Sequence, residues 1–252
     1  MRLERTAAIV TGGASGLGAA TATALAHRGA QVYALDLAAS IAGQGGESSI
    51  RYLEADVTDP ASLRGAIDTV VSSGVPLRTL VNCAGIGPSA RVLGKKGVHD
   101  LDLYARVIQV NLIGSFNALA LCSAAIAQTE PLEDGQRGVI INTASVAAFD
   151  GQVGQAAYSS SKGGIVGLTL PAARDLASYG IRVCTIAPGI VDTPMLATVS
   201  DEFRASLAAG VPFPQRLARP DEYAQLAVSI IEHDYLNGEV IRMDGALRMA
   251  PR

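Results

Sequence analysis

Short apolar runs alternate with longer amphipathic or wholly apolar segments along almost the whole chain. The short runs are rich in Val, Ile and Ala, a composition typical of strands that are buried on both faces. They predict seven strands, at residues 7–11, 31–36, 50–54, 77–82, 138–143, 181–187 and 239–243. The longer segments predict helices at residues 17–28, 60–72, 101–128, 156–178 and 220–232.

Strands that alternate with helices predict a parallel sheet, because each parallel connection must cross over one face of the sheet. Right-handed crossovers then give a doubly wound sheet, which binds ligands beyond the carboxyl ends of its strands. No repeat, low-complexity tract or long linker divides the chain. We therefore expect an α/β protein with a single-domain Rossmann fold over residues 1–252. Its doubly wound, parallel, seven-stranded sheet should carry helices on both faces.

One segment, residues 195–214, lies outside this alternation. It follows Thr193-Pro194 and ends with Pro212 and Pro214. Its larger apolar residues recur at helical spacing: Met195, Leu196, Val199, Phe203 and Leu207. We interpret the segment as a helical lid over a substrate. The alternative is a surface excursion without a role in binding.

The charge of the chain argues against nucleic acid as a partner. The formal net charge is -3, and no basic run is longer than Lys95-Lys96, so the electrostatic pattern of a nucleic-acid-binding protein is missing. The cysteines are odd in number and far apart in apolar stretches, which predicts reduced core thiols: Cys83, Cys122 and Cys184. The histidines lack the spacing of metal ligands, so we expect no metal: His27, His99 and His233.

Two further stretches bear on location. The first residues lead into the first predicted strand without an apolar leader, so we expect a cytoplasmic protein. Residues 107–127 approach the length of a membrane span, but they contain Gln109, Asn111 and Asn117, which are costly in lipid. We interpret this stretch as a buried helix and expect no membrane partner.

The first predicted strand runs into a glycine-rich turn, Thr11 to Gly18, that precedes a helix. Such a turn lets backbone amides and the helix N-terminus face a pyrophosphate, although a tight turn alone would also need small residues. Asp36 ends the second strand about twenty residues further on, where a carboxylate binds the adenosine ribose hydroxyls. No basic residue follows Asp36 directly. The pattern therefore favours NAD over NADP.

The three residues between Gly12 and Gly16 make this turn resemble that of the short-chain dehydrogenase/reductase family. Asn82-Cys83-Ala84-Gly85 is similar to an element of the family in which Asn is commoner than Cys at the second position. Residues 187–194 resemble the segment that faces the nicotinamide. The resemblance implies these cofactor contacts: Gly12, Ser15, Gly16, Leu17, Gly18, Asp36, Asp56, Val57, Cys83, Ala84, Gly85, Tyr158, Lys162, Pro188, Gly189, Val191 and Thr193.

Tyr158 and Lys162 lie four residues apart on a predicted helix and so share one face. Ser145 precedes Tyr158 by thirteen positions, and with Asn111 these residues resemble the catalytic tetrad of the family. Singly, each has an ordinary structural interpretation, such as a cap or a surface cation. Their joint spacing favours catalysis of alcohol oxidation by hydride transfer.

The residue types suit this chemistry. Oxidation of a secondary alcohol needs a proton acceptor, and a free tyrosine, with a pKa of about 10, is mostly protonated at neutral pH. We expect the Lys162 ammonium to lower the pKa of Tyr158 so that it accepts the proton. Ser145 would hydrogen-bond the substrate oxygen, and Asn111 would hold a water that links Lys162 to solvent. Ser145 and Tyr158 are thus the predicted substrate contacts.

Several stretches are similar to a subgroup of the family that oxidises 3-hydroxyacyl-CoA and hydroxysteroids. They include residues 136–176, 211–217 and 236–242. The resemblance implies an acyl-CoA or hydrophobic alcohol substrate in fatty acid metabolism, and a homotetramer paired through helices 101–128 and 156–178. Two alternatives remain: an enzyme for another alcohol, sugar or ketoacyl substrate, and a non-catalytic NAD-sensing protein.

Overall fold

The predicted strands form one sheet. The computed structural model describes residues 1–42, 44, 49–95, 97–196 and 200–251. In chain order its strands are β1 (Ala7–Thr11), β2 (Gln31–Asp36), β3 (Ile50–Glu54), β4 (Leu77–Asn82), β5 (Leu93–Gly94), β6 (Gly97–Val98), β7 (Gly138–Thr143), β8 (Ile181–Pro188) and β9 (Val240–Met243). The main sheet has seven strands in the order β3-β2-β1-β4-β7-β8-β9, and all its pairs are parallel. The prediction of a doubly wound sheet is confirmed.

Helices cover both faces of this sheet. They are α1 (Gly16–His27), α2 (Ala38–Ile41), α3 (Pro60–Val71), α4 (Leu101–Ile108), α5 (Ser115–Ala127), α6 (Ala156–Leu176), α7 (Asp201–Ala209) and α8 (Pro220–Glu232). α7 lies in the segment predicted to be a lid. The small β5–β6 hairpin was not predicted. Two residues named in the sequence predictions, Lys96 and Val199, lie outside the described residues.

Alternate residues of each strand enter two separate cores, because successive side chains point to opposite faces of a sheet. Ile9 and Leu80 pack in a cluster with residues of α3, α5 and α6. Val10 and Val81 pack on the other face with residues of α1 and α8. The rigid sheet therefore holds the ends of its strands at one edge, where the predicted site residues lie.

The predicted helix over residues 101–128 is not continuous. α4 and α5 are separated by a π-helical turn, Gln109–Gly114. A Cβ added at Gly114 would lie 2.6 Å from Cγ2 of Val57, so the turn approaches the loop after β3 more closely than a larger residue allows. π-turns of this kind are frequent at functional sites. Here the turn carries Asn111.

The stretch Leu101–Ala127 is, within the described chain, the one helical stretch whose length and composition would let it cross a membrane. Core helices of soluble proteins pass the same test. Leu119, Cys122 and Ile126 of α5 are buried in the core beneath the sheet. α4 buries only Val107, so the expected buried helix corresponds to one face of α5 rather than to the whole stretch.

Candidate active site

The last residues of four neighbouring strands converge at the carboxyl edge of the sheet. Thr11, Asn82, Thr143 and Pro188 end β1, β4, β7 and β8, and the predicted site segments begin directly after them. This is the edge at which doubly wound sheets bind ligands. The sheet order therefore brings together segments that are more than 170 positions apart in the sequence.

The glycine-rich turn fits tightly against its neighbours. Gly12 has a φ of 65°, and a Cβ there would lie 2.7 Å from the backbone nitrogen of Ala84. A Cβ at Gly18 would lie 2.1 Å from the carbonyl oxygen of Gly12. Both positions thus need glycine for close backbone approach, and Gly12 needs it for its positive φ as well. The backbone of Cys83 and Ala84 lies against this turn.

The N-terminus of α1 is open to an anion. Ser15 is its N-cap but makes no side-chain cap, and the first turn holds no acidic residue. The amides around Gly16 and Leu17 therefore face outward with the positive end of the helix dipole. A pyrophosphate fits this donor set, since phosphates bind at such helix ends.

Asp36 lies beside the glycine turn. One carboxylate oxygen accepts a hydrogen bond from the backbone nitrogen of Ala14 at 3.0 Å, and the other from that of Leu37 at 2.9 Å. An ionised carboxylate has further lone pairs, so the hydroxyls of a ribose can still bind. Gln44 donates to the carbonyl oxygen of Ala14 at 3.0 Å and steadies the same corner.

Asp56 and Val57 lie in the turn after β3. Oδ1 of Asp56 accepts from the backbone nitrogen and the hydroxyl of Thr58, both at 2.8 Å. The carbonyl oxygen of Val57 accepts from Nδ2 of Asn117 at 3.0 Å. These contacts fix the turn beside β2, so its shape is set by the protein's own groups.

The segment after β8 closes the other side of the cleft. A Cβ at Gly189 would lie 2.9 Å from Cα of Asp244, so β9 packs directly behind Pro188-Gly189. Val191 bridges to Ala218. A Cβ at Gly16 would lie 3.5 Å from Cβ of Thr193, which shows that this segment reaches the glycine turn. The two ends of the predicted cofactor site therefore lie on one continuous surface.

Ser145, Tyr158 and Lys162 are brought together. Ser145 caps a 3₁₀ turn, with its Oγ accepting from the backbone nitrogen of Ala147 at 3.1 Å, and its side chain lies close enough to the Tyr158 hydroxyl to lower the pKa of that phenol. Lys162 follows one helical turn after Tyr158, and its Nζ lies 5.8 Å from the centroid of the tyrosine ring. The same Nζ donates to the carbonyl oxygen of Thr143 at 2.7 Å.

Asn111 completes the group from the π-turn. Its Oδ1 accepts from the backbone nitrogen of Ile86 at 2.8 Å, and its Nδ2 donates to the carbonyl oxygen of Ile86 at 2.9 Å and to Oγ of Ser161 at 3.0 Å. A Cβ at Gly85 would lie 3.2 Å from Oδ1 of Asn111 and 3.7 Å from Nζ of Lys162. Asn111 therefore fastens the loop after β4 to α6 next to Lys162.

The charge states of Lys162 and Tyr158 differ from those expected from the sequence. Burial lowers the pKa of Lys162 to about 8, because the ammonium loses hydration. Burial also raises the pKa of Tyr158, and the hydrogen bond from Ser145 offsets only part of that shift. The expectation that Lys162 lowers the Tyr158 pKa is therefore not met by these side chains alone. The lysine is directed to the Thr143 carbonyl, and burial of the phenol dominates.

The sequence patterns missed two groups of residues around the site. The hydroxyls of Thr143 and Tyr223 lie 2.7 Å apart, and each is 3.8 Å from Sγ of Cys83. Thus the Cys83 side chain contacts these hydroxyls. The only hint in the sequence was that Thr143, at the end of a strand, and Tyr223, on α8, both carry hydroxyls.

The second missed group is centred on Arg242. Its guanidinium forms ion pairs with Asp150 at 2.6 Å and Asp244 at 2.7 Å, and lies 5.2 Å from the ring centroid of Phe149. The bond from Arg242 lowers the pKa of Asp150. These contacts tie the loop that follows Ser145 to the segment after β9, and they leave Phe149 half exposed as an apolar surface.

The three cysteines are free: Cys122 and Cys184 are buried, and Cys83 is partly buried. Within the described residues, no group of His, Cys, Asp and Glu side chains is arranged to hold a metal. The site thus consists of a surface that suits a dinucleotide, next to the group formed by Ser145, Tyr158 and Lys162.

A fold with this sheet order and this site defines an oxidoreductase class. The chain belongs to the short-chain dehydrogenase/reductase family, since the family model described as short chain dehydrogenase matches residues 6–203. The family resemblance seen in the sequence is confirmed, and the protein is an oxidoreductase of a family that uses a nicotinamide dinucleotide.

Particular relatives are similar over nearly their whole length. The 3-hydroxyacyl-CoA dehydrogenase type-2 of Bos taurus is 53% identical over 249 residues, which cover 97% of this chain and 95% of the relative. That of Drosophila melanogaster is 49% identical over 255 residues, covering 99% and 100%. The crystal structure of 3-hydroxyacyl-CoA dehydrogenase type-2 from Mycobacterium avium superposes with a TM-score of 0.92 at 41% identity, covering 99% of this chain and 98% of that one.

Proposed function

We propose that the protein is an NAD-dependent dehydrogenase that interconverts 3-hydroxyacyl-CoA and 3-ketoacyl-CoA. The observation that carries the proposal is the grouping of Ser145, Tyr158 and Lys162, with Nζ of Lys162 5.8 Å from the centroid of the Tyr158 ring. Relatives named for this activity match the chain almost from end to end. The geometry supports the reaction, and the relatives support the substrate.

In this mechanism Ser145 and Tyr158 bind the substrate oxygen. During oxidation, Tyr158 accepts the proton of the alcohol, while the Ser145 hydroxyl donates a hydrogen bond to the developing carbonyl oxygen. Lys162, largely protonated below its pKa of about 8, would bind the ribose hydroxyls on the nicotinamide side. Its charge alone does not favour the phenolate, but together with the positive charge of a bound NAD⁺ it would. Asn111 holds the loop at Ile86 in place. In the reductive direction Tyr158 returns the proton.

The residues present fit NAD. The α1 N-terminus and the close-packed glycine turn suit a pyrophosphate, and Asp36 suits an unphosphorylated ribose because its charge repels a 2′-phosphate. When bound, NAD would supply the hydride acceptor for oxidation of the alcohol, and NADH the hydride donor for the reverse reaction. Cys83, Ala84, Gly85, Pro188, Gly189, Val191 and Thr193 would complete the walls of this site.

The NAD preference is tested by substitution of Asp36. We expect Asp36→Ala to lower the ratio of kcat/KM for NAD over NADP by about tenfold or more, since a repulsive charge is removed. Glu54→Ala is a matched control, because Glu54 is the neighbour of Asp36 in the β2–β3 register. Equal cofactor ratios in the parent and in Asp36→Ala would contradict this role of Asp36.

The proposal of a CoA substrate depends less on the geometry of the site than the proposal of the reaction does. Lys95 is exposed at the turn of the β5–β6 hairpin, where it offers positive charge to CoA phosphates, and Lys96 follows it in the sequence. A solvated basic turn is the ordinary alternative. On the lid, Phe203 of α7 exposes 52% of its surface and offers an apolar contact for an acyl chain. The same surface would also suit a steroid alcohol.

The test measures NADH formation with a short 3-hydroxyacyl-CoA and with the same acyl group on a truncated thioester. We expect a higher kcat/KM for the CoA substrate, and a loss of that advantage at high salt or in a Lys95→Ala, Lys96→Ala double variant. Arg91→Ala is a basic control near the same hairpin. Equal rates for both thioesters would remove the case for a CoA site, and faster turnover of a steroid would favour the second substrate class.

We also propose a cytoplasmic homotetramer. Apolar side chains exposed on the π-turn, α5 and α6 support self-association: Ile113, Phe116 and Leu170. The free cysteines and the net charge support a reducing compartment and the lack of a nucleic-acid partner. Sedimentation equilibrium tests the tetramer, and cell fractionation tests the compartment.

A further inference from the structure

The ammonium of Lys162 depends on one backbone carbonyl. Lys162 is 5% exposed, and its Nζ donates to the carbonyl oxygen of Thr143 at 2.7 Å. In the described part of the chain, no carboxylate forms an ion pair with it. A buried charge without a counter-ion needs well-placed dipoles, so the position of the Thr143 carbonyl matters more than that of an ordinary strand carbonyl.

The side chain of Thr143 is itself held from two sides. Its hydroxyl donates to the carbonyl oxygen of Asn82 at 2.6 Å and lies 2.7 Å from the hydroxyl of Tyr223. A carbonyl oxygen can only accept, so the single threonine proton goes to Asn82 and the tyrosine proton points to Thr143. Tyr223 therefore donates into the residue whose carbonyl holds Lys162.

This contact passes through the sheet. Tyr223 is fully buried on α8, in the core on the α1 side, whereas Lys162 lies on α6 on the opposite face. Thr143 is the last residue of β7. Its hydroxyl contacts Tyr223 on one face of the sheet, and its carbonyl oxygen contacts Lys162 on the other. The groups that surround the chain of contacts are neutral: the Cys83 thiol, whose pKa burial raises, the Tyr158 phenol and the Asn111 amide.

We infer that Tyr223 is a positioning residue for Lys162, acting through Thr143 on the nicotinamide half of the cofactor site. The inference rests on the proposed function, in which Lys162 binds the cofactor ribose. Without the tyrosine hydroxyl, the Thr143 hydroxyl keeps its bond to Asn82 and a longer contact of 3.8 Å with Sγ of Cys83, and the strand end that presents the Thr143 carbonyl is less fixed. Lys162 then meets the cofactor in a less favourable position.

The first test is the Kd of NADH, measured by its fluorescence without substrate. We expect Tyr223→Phe to raise this Kd about three- to tenfold, the size of one lost hydrogen bond. The alkaline limb of kcat/KM for NAD should also move to lower pH, because the ammonium is less well held. Tyr33→Phe is the matched control: Tyr33 is equally buried, and its hydroxyl accepts from Gln31 at 2.6 Å on the other side of the molecule.

Variants of Thr143 separate positioning from general stability. Thr143→Val removes the contact with Tyr223 and also the bond to Asn82, so it should raise the Kd at least as much as Tyr223→Phe does. The double variant should be no worse than Thr143→Val, since the contact with Tyr223 is already lost there. Thr143→Ser keeps the hydroxyl and should stay within about twofold of the parent. In a Lys162→Ala background, Tyr223→Phe should have no further effect on NADH binding.

The outcomes are distinct. If Tyr223→Phe changes the Kd no more than Tyr33→Phe, or weakens NADH equally in the Lys162→Ala background, the inference is wrong. Should Tyr223→Phe fail to fold, the NADH Kd of Thr143→Val is compared with that of Thr143→Ser instead. Equal Kd values for these two variants would contradict the inference. If the parent does not bind NADH at all, the proposed function fails; if the parent binds it and turns over, only the inference is at stake.

Discussion

The cofactor side and the lid side of the cleft are built differently. On the cofactor side, the backbone of the glycine turn lies against that of Ala84, and the buried side chain of Asn111 fastens the loop at Ile86 to α6. On the lid side, α7 is joined to the rest mainly by side chains, notably an Arg204–Asp192 ion pair. The contrast indicates that one half of the site tolerates no added atom, whereas the other can change its contacts at low cost. Substitutions on the two sides should therefore differ in kind as well as in size.

The largest effect is expected at the reacting group. Tyr158→Phe removes the proposed proton acceptor and should lower kcat by about 100-fold or more, while NADH binding and the melting temperature stay close to those of the parent. Steady-state kinetics and a thermal melt check this. Tyr179→Phe, at a half-exposed tyrosine near the end of α6, is the control. Turnover above about a tenth of the parent would contradict the proton-transfer role, given the size of general acid–base effects.

The next effect tests the close packing of the glycine turn. Gly18→Ala would put a methyl group against the Gly12 carbonyl, so we expect a loss of about 1–3 kcal/mol in stability and weaker NADH binding. Gly65→Ala is the matched control, because no atom lies within 4 Å of its added Cβ on α3. It should gain about 0.5–1 kcal/mol from helix propensity. Similar melting temperatures for Gly18→Ala and Gly65→Ala would contradict the close packing inferred at Gly18.

A smaller effect concerns the burial of Lys162. Its pKa is about 8 in the folded chain and 10.5 ordinarily, so between these values the folded state binds fewer protons than the unfolded one. The free energy of unfolding therefore rises with pH across this window, and the cost of burying the charge is complete below pH 8. Lys162→Met should melt higher than the cofactor-free parent near neutral pH.

Thermal melts across the same pH range provide the measurement. The advantage of Lys162→Met should shrink as the pH rises from 8 towards 10.5. A difference that is constant with pH would mean that the lysine is neutral, or well solvated, throughout. Lys95→Met, at an exposed lysine, should show no such trend.

The smallest effect is expected on the lid side. Arg204→Ala breaks the ion pair with Asp192, and a partly exposed pair contributes about 0.2–1 kcal/mol, so KM for the acyl substrate should rise by no more than a few-fold. The Kd of NADH and kcat should stay near the parent values. Arg219→Ala, which breaks an exposed pair with Asp221 on α8, is the control. A tenfold loss of NADH affinity in Arg204→Ala would show that the lid belongs to the cofactor side.

The same contrast explains what the sequence could predict. The strands were predictable because a strand buried on both faces leaves a continuous apolar run, as at Ile9 and Val10. Ser145, Tyr158 and Lys162 were predictable because helix geometry and strand-end position make their spacing informative. The bounds of the strands differ from prediction by no more than one residue at the ends of β8 and β9.

Other features depend on contacts between distant residues. Thr143 and Tyr223 are 80 positions apart, and no local pattern pairs their hydroxyls. The raised pKa of Tyr158 depends on how deeply the phenol is buried, which the spacing to Lys162 does not encode. The π-turn escaped prediction because one additional residue in a helix barely alters an apolar pattern.

That π-turn, Gln109–Gly114, also makes the chain sensitive to length at one place. A π-turn accommodates one residue more than a regular helix over about the same rotation, so α4 and α5 keep the relation of a continuous helix across it. Deletion of a single residue there would restore regular α-helical bonding, and Leu119, Cys122 and Ile126 would keep their places in the core. Asn111 would instead lose the turn that brings its side chain to Ile86 and Ser161. A change of length at this one place would therefore disturb the site while the core stays packed.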